Sequence, residues 1–321
     1  MKPEQSGTNP YFFLVGSHRS GTTLLRRIAE AHSRIAVAPE TQWIPQYYKH
    51  RTGLTADGMV TEVLILRLTE HPKLRHLGVS PKDLRRLLAP GERPAYADFV
   101  GRIFDCFGEA RGRSLVGDKT PNYVRQVRVL HALWPRARFV HLIRDGRDVC
   151  LSVLAWKRKV ARMAELFPTW TEDPVTTAAL CWERDVRQGR NRGRPLGPAL
   201  YHEIRYETLV LRPADEARDL CSFLGVPYEA GMLEFYQGRT LHEPGLSAKE
   251  SWLPITPGLR DWRTQMPPSD VERFEAAAGD LLDELGYPRA HPSPAPAARE
   301  RADRLRERFE QELAARQEVG A

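Results

Sequence analysis

The sequence predicts an α/β fold in which a parallel sheet is covered by helices on both faces. Short apolar runs, such as residues 11–15 and 139–143, have the length and the continuous hydrophobicity of strands that are buried on both sides. Segments with the spacing of a helix face lie between these runs. Because parallel strands need a crossover connection, usually a helix, this alternation is typical of a parallel sheet between two helical layers.

In the first half of the chain, the strands are predicted from apolar runs that end at small or charged residues. Leu24, Leu25 and Ile28 recur with the spacing of one helix face, so a helix follows the first strand directly. A long helical pattern interrupted by prolines follows the second strand and predicts a helical insertion. The predicted strands are 11–15, 35–39 and 115–117, and the predicted helical stretches are 22–31 and 56–107.

The second half of the chain repeats the alternation. Pro135 ends one helix, Asp148 opens the next, and Gly225 ends a third helix that begins near Pro213. Ser269 and Glu272 have the spacing of a capping box, which predicts where the last core helix begins. The predicted strands are 139–143 and 200–206, and the predicted helices are 124–134, 148–154, 213–224 and 269–285.

After Pro288 the composition changes to a linker rich in proline and alanine, followed by a charged helical stretch. Its apolar residues form one narrow stripe that is too sparse for a coiled coil: Leu305, Phe309 and Leu313. We therefore expect a main domain over residues 10–288, and a peripheral charged helical tail within residues 289–321.

The composition is that of a globular protein with a basic balance. The chain has 321 residues, a formal net charge of +7, and forty arginines against eight lysines. Arginine suits the recognition of phosphate, sulfate or carboxylate, and a basic surface also attracts nucleic acid.

The four cysteines are scattered without a Cys-x-x-Cys pair, so neither disulfides nor a metal site is predicted. Residues 1–10 lack the apolar segment of a signal peptide and no apolar run is long enough to span a membrane, so we expect a cytoplasmic protein.

A turn rich in small residues joins the first predicted strand to its helix. Gly16 and Gly21 have the spacing of a phosphate-binding loop, and Thr22 and Thr23 follow the second glycine. In such loops, backbone N–H groups and the positive end of the helix dipole bind an anion. A nucleoside triphosphatase places a lysine directly after the second glycine. The strand, the glycine loop and the helix together predict a P-loop-like fold. Here the cation is Arg19, inside the loop, so the loop suits an anion shorter than a triphosphate.

A second anion site is predicted at the end of strand 139–143. Arg144 ends this strand and Ser152 lies in the following helix, so both can face one anion at the carboxyl edge of the sheet. Two neighbouring anion sites are what a 3′,5′-bisphosphorylated nucleotide requires and ATP does not. The structural alternative for Arg144 is a salt bridge with Asp145 or Asp148.

These motifs resemble those of a known family. The segment from Arg19 to Thr23, after an apolar strand, is similar to the 5′-phosphosulfate loop of sulfotransferases that use 3′-phosphoadenosine 5′-phosphosulfate (PAPS). Residues 139–148 with Ser152 are similar to the 3′-phosphate motif of this family, and Tyr206-Glu-Thr-Leu is similar to a later signature. The resemblance covers about residues 11–288 and implies sulfuryl transfer from PAPS to a hydroxyl. It implies that PAPS is bound by Arg19, Ser20, Gly21, Thr22, Thr23, Arg144, Ser152, Tyr206 and Arg260.

The resemblance also implies the catalytic groups. Sulfuryl transfer needs a base for the acceptor hydroxyl and cations near the oxygens that gain charge. Glu40, in an Ala-Pro-Glu-Thr segment similar to that of tyrosylprotein sulfotransferases, is the expected base, and Lys119 is the expected cation. Arg19 and Ser251 complete the set, and no metal is expected. The structural alternatives are a surface role for Glu40 and a pairing of Lys119 with Asp118.

One departure from the tyrosylprotein sulfotransferases concerns the acceptor. In those enzymes, arginines after the Glu-Thr pair hold acidic residues of a peptide, whereas Gln42 and Gln46 occupy these positions here. The acceptor therefore stays open among a small molecule, a carbohydrate, a lipid and a peptide. We expect the helical insertion to form the acceptor side, and the sequence leaves a homodimer open.

Two other functions are compatible with parts of the sequence. A P-loop nucleotide kinase or NTPase with a degenerate loop would explain the glycine spacing, but the lysine expected at position 22 is missing. A basic nucleic-acid-binding protein would explain the charge, but the charge alone favours a solvated basic surface. We therefore expect no nucleic acid as a partner.

Overall fold

The computed structural model of the chain describes residues 10–88, 91–237 and 254–319. Within these ranges the strands are β1 (Phe12–Gly16), β2 (Ile35–Pro39), β3 (Leu115–Lys119), β4 (Arg138–Ile143) and β5 (Tyr201–Arg205). The helices are α1 (Thr22–Glu30), α2 (Ile44–Lys49), α3 (Glu62–Glu70), α4 (Pro81–Arg86), α5 (Tyr96–Glu109), α6 (Val127–Leu133), α7 (Gly146–Leu154), α8 (Lys157–Leu166), α9 (Pro168–Glu172), α10 (Pro174–Gly193), α11 (Tyr206–Leu211), α12 (Pro213–Leu224), α13 (Trp262–Gln265), α14 (Pro268–Glu284) and α15 (Pro296–Val319).

The chain folds into two compact units. Unit 1 consists of the described parts of Met1–Gly16, Thr22–Leu142 and Gly189–Ile255. Unit 2 consists of the described parts of Ser17–Gly21, Ile143–Gln188 and Thr256–Ala321. The loop that follows β1 therefore belongs to unit 2, whereas β1 and α1 on either side of it belong to unit 1.

The sheet of unit 1 has the strand order β2-β3-β1-β4-β5, and β1 pairs in parallel with both β3 and β4. Side chains of β1 alternate between two hydrophobic clusters. Phe13 and Val15 pack in one cluster with residues of α5, whereas Phe12 and Leu14 pack in another with residues of α1 and α12. A strand that is apolar on both faces is buried on both faces. The predicted α/β fold, with a parallel sheet between helices, is confirmed.

Several predicted elements end at other residues than expected. β3 continues beyond Gly117, so Asp118 and Lys119 are part of the strand. α14 begins at Pro268, and its N-cap makes no side-chain hydrogen bond, so the predicted capping box is wrong. Proline fits the first helical position because the N–H groups of that turn have no partner within the helix. The Glu272 carboxylate accepts a hydrogen bond from the Ala295 N–H (2.9 Å) instead.

The C-terminal helix is packed more deeply than the peripheral tail expected from the sequence. In unit 2, Leu305 and Phe309 of α15 are buried, and Phe309 stacks on Phe167 with ring centroids 5.1 Å apart. The Glu312 carboxylate accepts hydrogen bonds from the backbone N–H and the hydroxyl of Thr169, both at 2.9 Å. A narrow stripe suffices because the side chains of unit 2 surround it. The boundary at residue 289 stays a prediction.

Among the helices of the described ranges, none is both long enough and apolar enough to cross a membrane.

Candidate active site

The loop after β1 is strained, as anion-binding turns often are. Arg19 has a φ of +72° and Gly21 a φ of +95°, and the Ser20 N–H donates to the Ser17 carbonyl at 3.2 Å. A left-handed conformation is costly for a residue with a Cβ, and such strain is concentrated at functional sites. Gly16, at the end of β1, is fixed by packing, because a Cβ there would lie 2.5 Å from the Leu142 carbonyl oxygen.

Arg19 brings together the two anion motifs predicted from the sequence. Its Nε donates a hydrogen bond to the Ser152 Oγ at 2.9 Å, although the two residues are 133 positions apart. Its guanidinium carbon lies 5.2 Å from the ring centroid of Trp156, which is within the range of a cation–π interaction. The loop that carries Arg19 and the helix that carries Ser152 thus meet within unit 2.

Positive charge accumulates around this contact. Burial lowers the pKa of Arg19, and the neighbouring positive charges of Arg144 and Arg260 lower it further. Arg144 is itself buried and lies 3.5 Å from the Asp148 carboxylate, so the salt bridge considered as its structural alternative is present. Arg144 and Arg260, which the resemblance also assigned to the donor, therefore both act electrostatically on Arg19. An anion bound among them would relieve their mutual repulsion.

The residues of this arginine cluster (Arg19, Arg144 and Arg260, with Ser20 and Ser152) fit a phosphate or sulfate group. Guanidinium groups present planar arrays of donors that match these anions. The Ser20 Oγ is buried, and no other described residue accepts from it or donates to it. A buried hydroxyl without a hydrogen-bond partner is costly. A bound oxyanion would accept a hydrogen bond from the Ser20 hydroxyl.

The second group of predicted residues lies in unit 1. Pro39 at the end of β2 is in register with Lys119 at the end of β3, and the Glu40 N–H donates to the Lys119 carbonyl at 3.1 Å. The Lys119 Nζ donates to the Glu40 Oε1 at 2.7 Å. The Glu40 side chain is 24% exposed, whereas that of Lys119 is 2% exposed. The pair therefore presents its carboxylate outward and its ammonium inward.

Electrostatics keep the carboxylate of this pair ionised. Burial raises the pKa of Glu40, but the Lys119 charge and hydrogen bond, with a smaller contribution from Lys73, bring it below its usual value. Burial also lowers the pKa of Lys119. The charge and the hydrogen bond of Glu40 offset part of this decrease. A carboxylate that is charged at neutral pH is the form that a general base requires. Lys119 forms its salt bridge with Glu40, whereas the alternative considered from the sequence was Asp118.

Three buried side chains hold the backbone next to Glu40. The Thr41 N–H donates to the Asp118 carboxylate at 3.3 Å, and the Thr41 hydroxyl shares a hydrogen bond of 2.7 Å with the Tyr123 hydroxyl. The Ile44 N–H donates to the same Tyr123 oxygen at 3.2 Å. Sequence reasoning missed Tyr123. The only sequence feature that points to Tyr123 is its position shortly after Lys119. The residues around Tyr123 do not show that its hydroxyl contacts residues 41 and 44.

The buried carboxyl group of Asp118 is expected to make the free energy of unfolding depend on pH. Burial raises its pKa from 3.8 to about 6. Because the folded state then binds this proton more tightly than the unfolded state, the stabilisation is complete below about pH 4 and is lost as the pH rises through 6. The loss is on the order of 3 kcal/mol. We expect the free energy of unfolding of Asp118→Asn, measured with urea from pH 4 to 7, to lack this decrease.

The matched control is Asp303→Asn, which changes an exposed aspartate of α15. It should follow the wild-type profile. Identical pH profiles for the Asp118 variant and the wild type would show that Asp118 is not the group responsible.

The remaining predicted residues are distributed as follows. Thr22 and Thr23 begin α1, and Tyr206 begins α11, where it packs against the hydrophobic cluster behind β1, all within unit 1. Gly21 lies in the loop of unit 2. Ser251 falls outside the described residues. Within the described ranges, no group of three or more His, Cys, Asp or Glu side chains is arranged to hold a metal ion.

Similarity to known proteins agrees with the motifs. The family model of the sulfotransferase family matches residues 10–230, and the chain belongs to this family, whose members are transferases. The matched region contains the loop, Glu40, Lys119, Arg144 and Ser152. It ends before Arg260.

Curated relatives are sulfotransferases with different acceptors in their names. The chain is 28% identical over 294 residues to a protein-tyrosine sulfotransferase of Drosophila melanogaster, covering 88% of this chain and 53% of the relative. The chain thus spans about half the length of that relative. It is 24% identical over 325 residues to the omega-hydroxy-beta-dihydromenaquinone-9 sulfotransferase Stf3 of Mycobacterium tuberculosis, covering 89% of this chain and 78% of the relative.

Solved structures with the same fold are sulfotransferase domains. The domain from the Synechococcus PCC 7002 olefin synthase has a TM-score of 0.60 at 24% identity and covers 90% of this chain and 98% of that domain. The domain from the curacin biosynthetic pathway has a TM-score of 0.58 at 22% identity and covers 88% of this chain and 100% of that domain. These similarities establish the fold.

Proposed function

We propose that the chain transfers the sulfuryl group of PAPS to a hydroxyl group of an acceptor. The observation that carries this proposal is the hydrogen bond of 2.9 Å from Arg19 to Ser152. It joins two motifs that are separate in the sequence and that resemble the two phosphate-binding segments of PAPS-dependent enzymes. A nucleotide with phosphates at both its 3′ and 5′ positions needs two such anion sites together.

In the proposed reaction, PAPS supplies a sulfuryl group whose bond to the 5′-phosphate breaks as the bond to the acceptor oxygen forms. Glu40 accepts the proton of the acceptor hydroxyl, which its ionised state allows. Lys119 provides positive charge where the transferring oxygens gain negative charge. Arg19, Ser20 and the backbone of the loop hold the 5′ side of the donor.

The proposal assigns the remaining donor contacts by resemblance. Arg144, Ser152 and Arg260 would hold the 3′-phosphate, and Thr22, Thr23 and Tyr206 would complete the donor site. The relatives act, by their names, on a protein tyrosine and on a quinone derivative. We therefore keep the acceptor class at a hydroxyl compound. The cytoplasmic location, the homodimer and the absence of a nucleic-acid partner stay predictions.

The test is thermal stabilisation by the donor product, adenosine 3′,5′-bisphosphate (PAP). A ligand at 100 times its dissociation constant adds about 2.7 kcal/mol to the folded state, which raises the melting temperature by several degrees. We expect this shift with PAP and a much smaller one with ATP and magnesium. A shift with ATP alone would favour the kinase or NTPase instead, and no shift with either nucleotide would contradict the two anion sites.

A further inference from the structure

Trp262 is held against the motif that carries Arg144 by several contacts within unit 2. Its indole Nε1 donates to the Asp145 carboxylate at 3.1 Å, and its backbone N–H donates to the Asp148 carboxylate at 2.9 Å. Its ring lies beneath the Arg147 guanidinium, with the guanidinium carbon 3.6 Å from the ring centroid. Three side chains of the turn that opens α7 thus contact one tryptophan more than a hundred residues further along the chain.

Arg147 fixes the geometry of this arrangement. It is completely buried, and it forms two hydrogen bonds with Asp145, at 3.0 and 2.7 Å, and one with Glu275 at 2.6 Å. A guanidinium that is paired with carboxylates on two sides has little freedom to rotate. The face of Arg147 that covers Trp262 is therefore part of a rigid ionic network, which defines where the tryptophan ring can lie.

Asp148 links Trp262 to the arginine cluster. The same carboxylate that accepts the Trp262 N–H lies 3.5 Å from the Arg144 guanidinium. Arg260 precedes Trp262 by two residues, is exposed, and acts electrostatically on Arg19. The position of Arg260 relative to Arg144 therefore depends on how residue 262 is held.

We propose that Trp262 is a positioning residue that sets Arg260 for contact with the 3′-phosphate of the nucleotide. This inference rests on the proposed function, because it assumes a bisphosphorylated nucleotide. It lies in a part of the chain that the family match does not reach, since that match ends at residue 230. Trp262 makes no contact with the nucleotide in this proposal and acts through Arg260.

The experiment compares two nucleotides that differ only in the 3′-phosphate, PAP and adenosine 5′-monophosphate (AMP). Dissociation constants for both are measured by calorimetry, and their ratio gives the preference for the 3′-phosphate. We expect Arg260→Ala to reduce this preference about 10- to 100-fold, because a hydrogen bond to a charged group is lost. Trp262→Leu, which removes the ring and the indole N–H, should reduce it about 10-fold. Trp262→Phe, which keeps a ring beneath Arg147, should reduce it about 3- to 10-fold.

The matched control is Trp170→Phe. Trp170 is a buried tryptophan of the same hydrophobic cluster in unit 2. The change removes the same atoms from the same core, so it should lower the melting temperature and leave the PAP preference unchanged. If Trp262→Leu does not fold, the milder Trp262→Phe variant still gives the comparison.

The outcomes separate this inference from the proposed function. A reduced PAP preference in both Trp262 variants, with weaker effects on AMP binding, supports the inference. Equal losses of PAP and AMP affinity, or an unchanged preference in Arg260→Ala, would overturn it and leave the proposed function standing. A wild-type protein that binds PAP and AMP equally well would overturn the proposed function, and this inference with it.

Discussion

Glu40→Gln is expected to lower turnover about 10²- to 10⁴-fold, which is the usual contribution of a general base. The amide cannot accept the proton of the acceptor hydroxyl, but it has nearly the same size and can still accept the hydrogen bond from Lys119. The affinity for PAP should therefore change little. This split between turnover and affinity is the signature of a base, because a residue that only supports the fold would affect both.

Turnover would be measured with PAPS and the acceptor that the wild type converts fastest among phenols, sugars and aliphatic alcohols, and PAP affinity by calorimetry. The matched control is Glu109→Gln, an exposed glutamate at the end of α5, which should retain wild-type turnover. Normal turnover in the Glu40 variant would exclude Glu40 as the base. A parallel loss of PAP affinity would mean that Lys119 and its surroundings had rearranged.

The fold was largely predictable because its signals are local. A strand such as β2 is an uninterrupted apolar segment, and its predicted bounds agree with the structure. The helix that ends at Gly225 ends there because the left-handed conformation at this position (φ of +72°) favours glycine. The burial of the C-terminal helix was underestimated because it depends on contacts that are not local. Leu305 and Phe309 look sparse in the sequence, and only the tertiary structure shows that other side chains cover them.

The sequence indicates candidate members of the site, but it does not indicate how they are arranged. The loop and the Arg144 motif are identifiable because each contains several functional residues within a short segment. The contact between Arg19 and Ser152 and the contact between Glu40 and Lys119 join residues 133 and 79 positions apart. Contacts at such separations are set by the order and register of the strands, which hydrophobic periodicity does not encode. Tyr123 and Trp262 were missed for this reason, since each makes its hydrogen bonds with residues that are distant in the sequence.

Replacement of Arg19 should weaken donor binding and also slow turnover. Arg19→Ala is expected to lower kcat/KM about 10²- to 10³-fold, the usual cost of losing one preorganised donor at a developing charge. The PAP affinity should fall about 10- to 100-fold, because a charge-assisted hydrogen bond is lost. Arg19→Lys should recover only part of this loss, since an ammonium keeps the charge without the planar array of donors that reaches Ser152 and faces the Trp156 ring.

The strained backbone of Arg19 provides a control that separates function from folding. At a φ of +72°, the left-handed backbone conformation is as strained for alanine as for arginine, because both have a Cβ, whereas it is unstrained for glycine. Arg19→Gly should therefore be more stable than Arg19→Ala by about 1 kcal/mol, while the two variants lose activity and PAP affinity to the same extent. Urea unfolding and calorimetry measure the two quantities independently. If glycine restored activity along with stability, the loop conformation rather than the guanidinium would be what the reaction requires, and the assignment of Arg19 to the donor would be wrong.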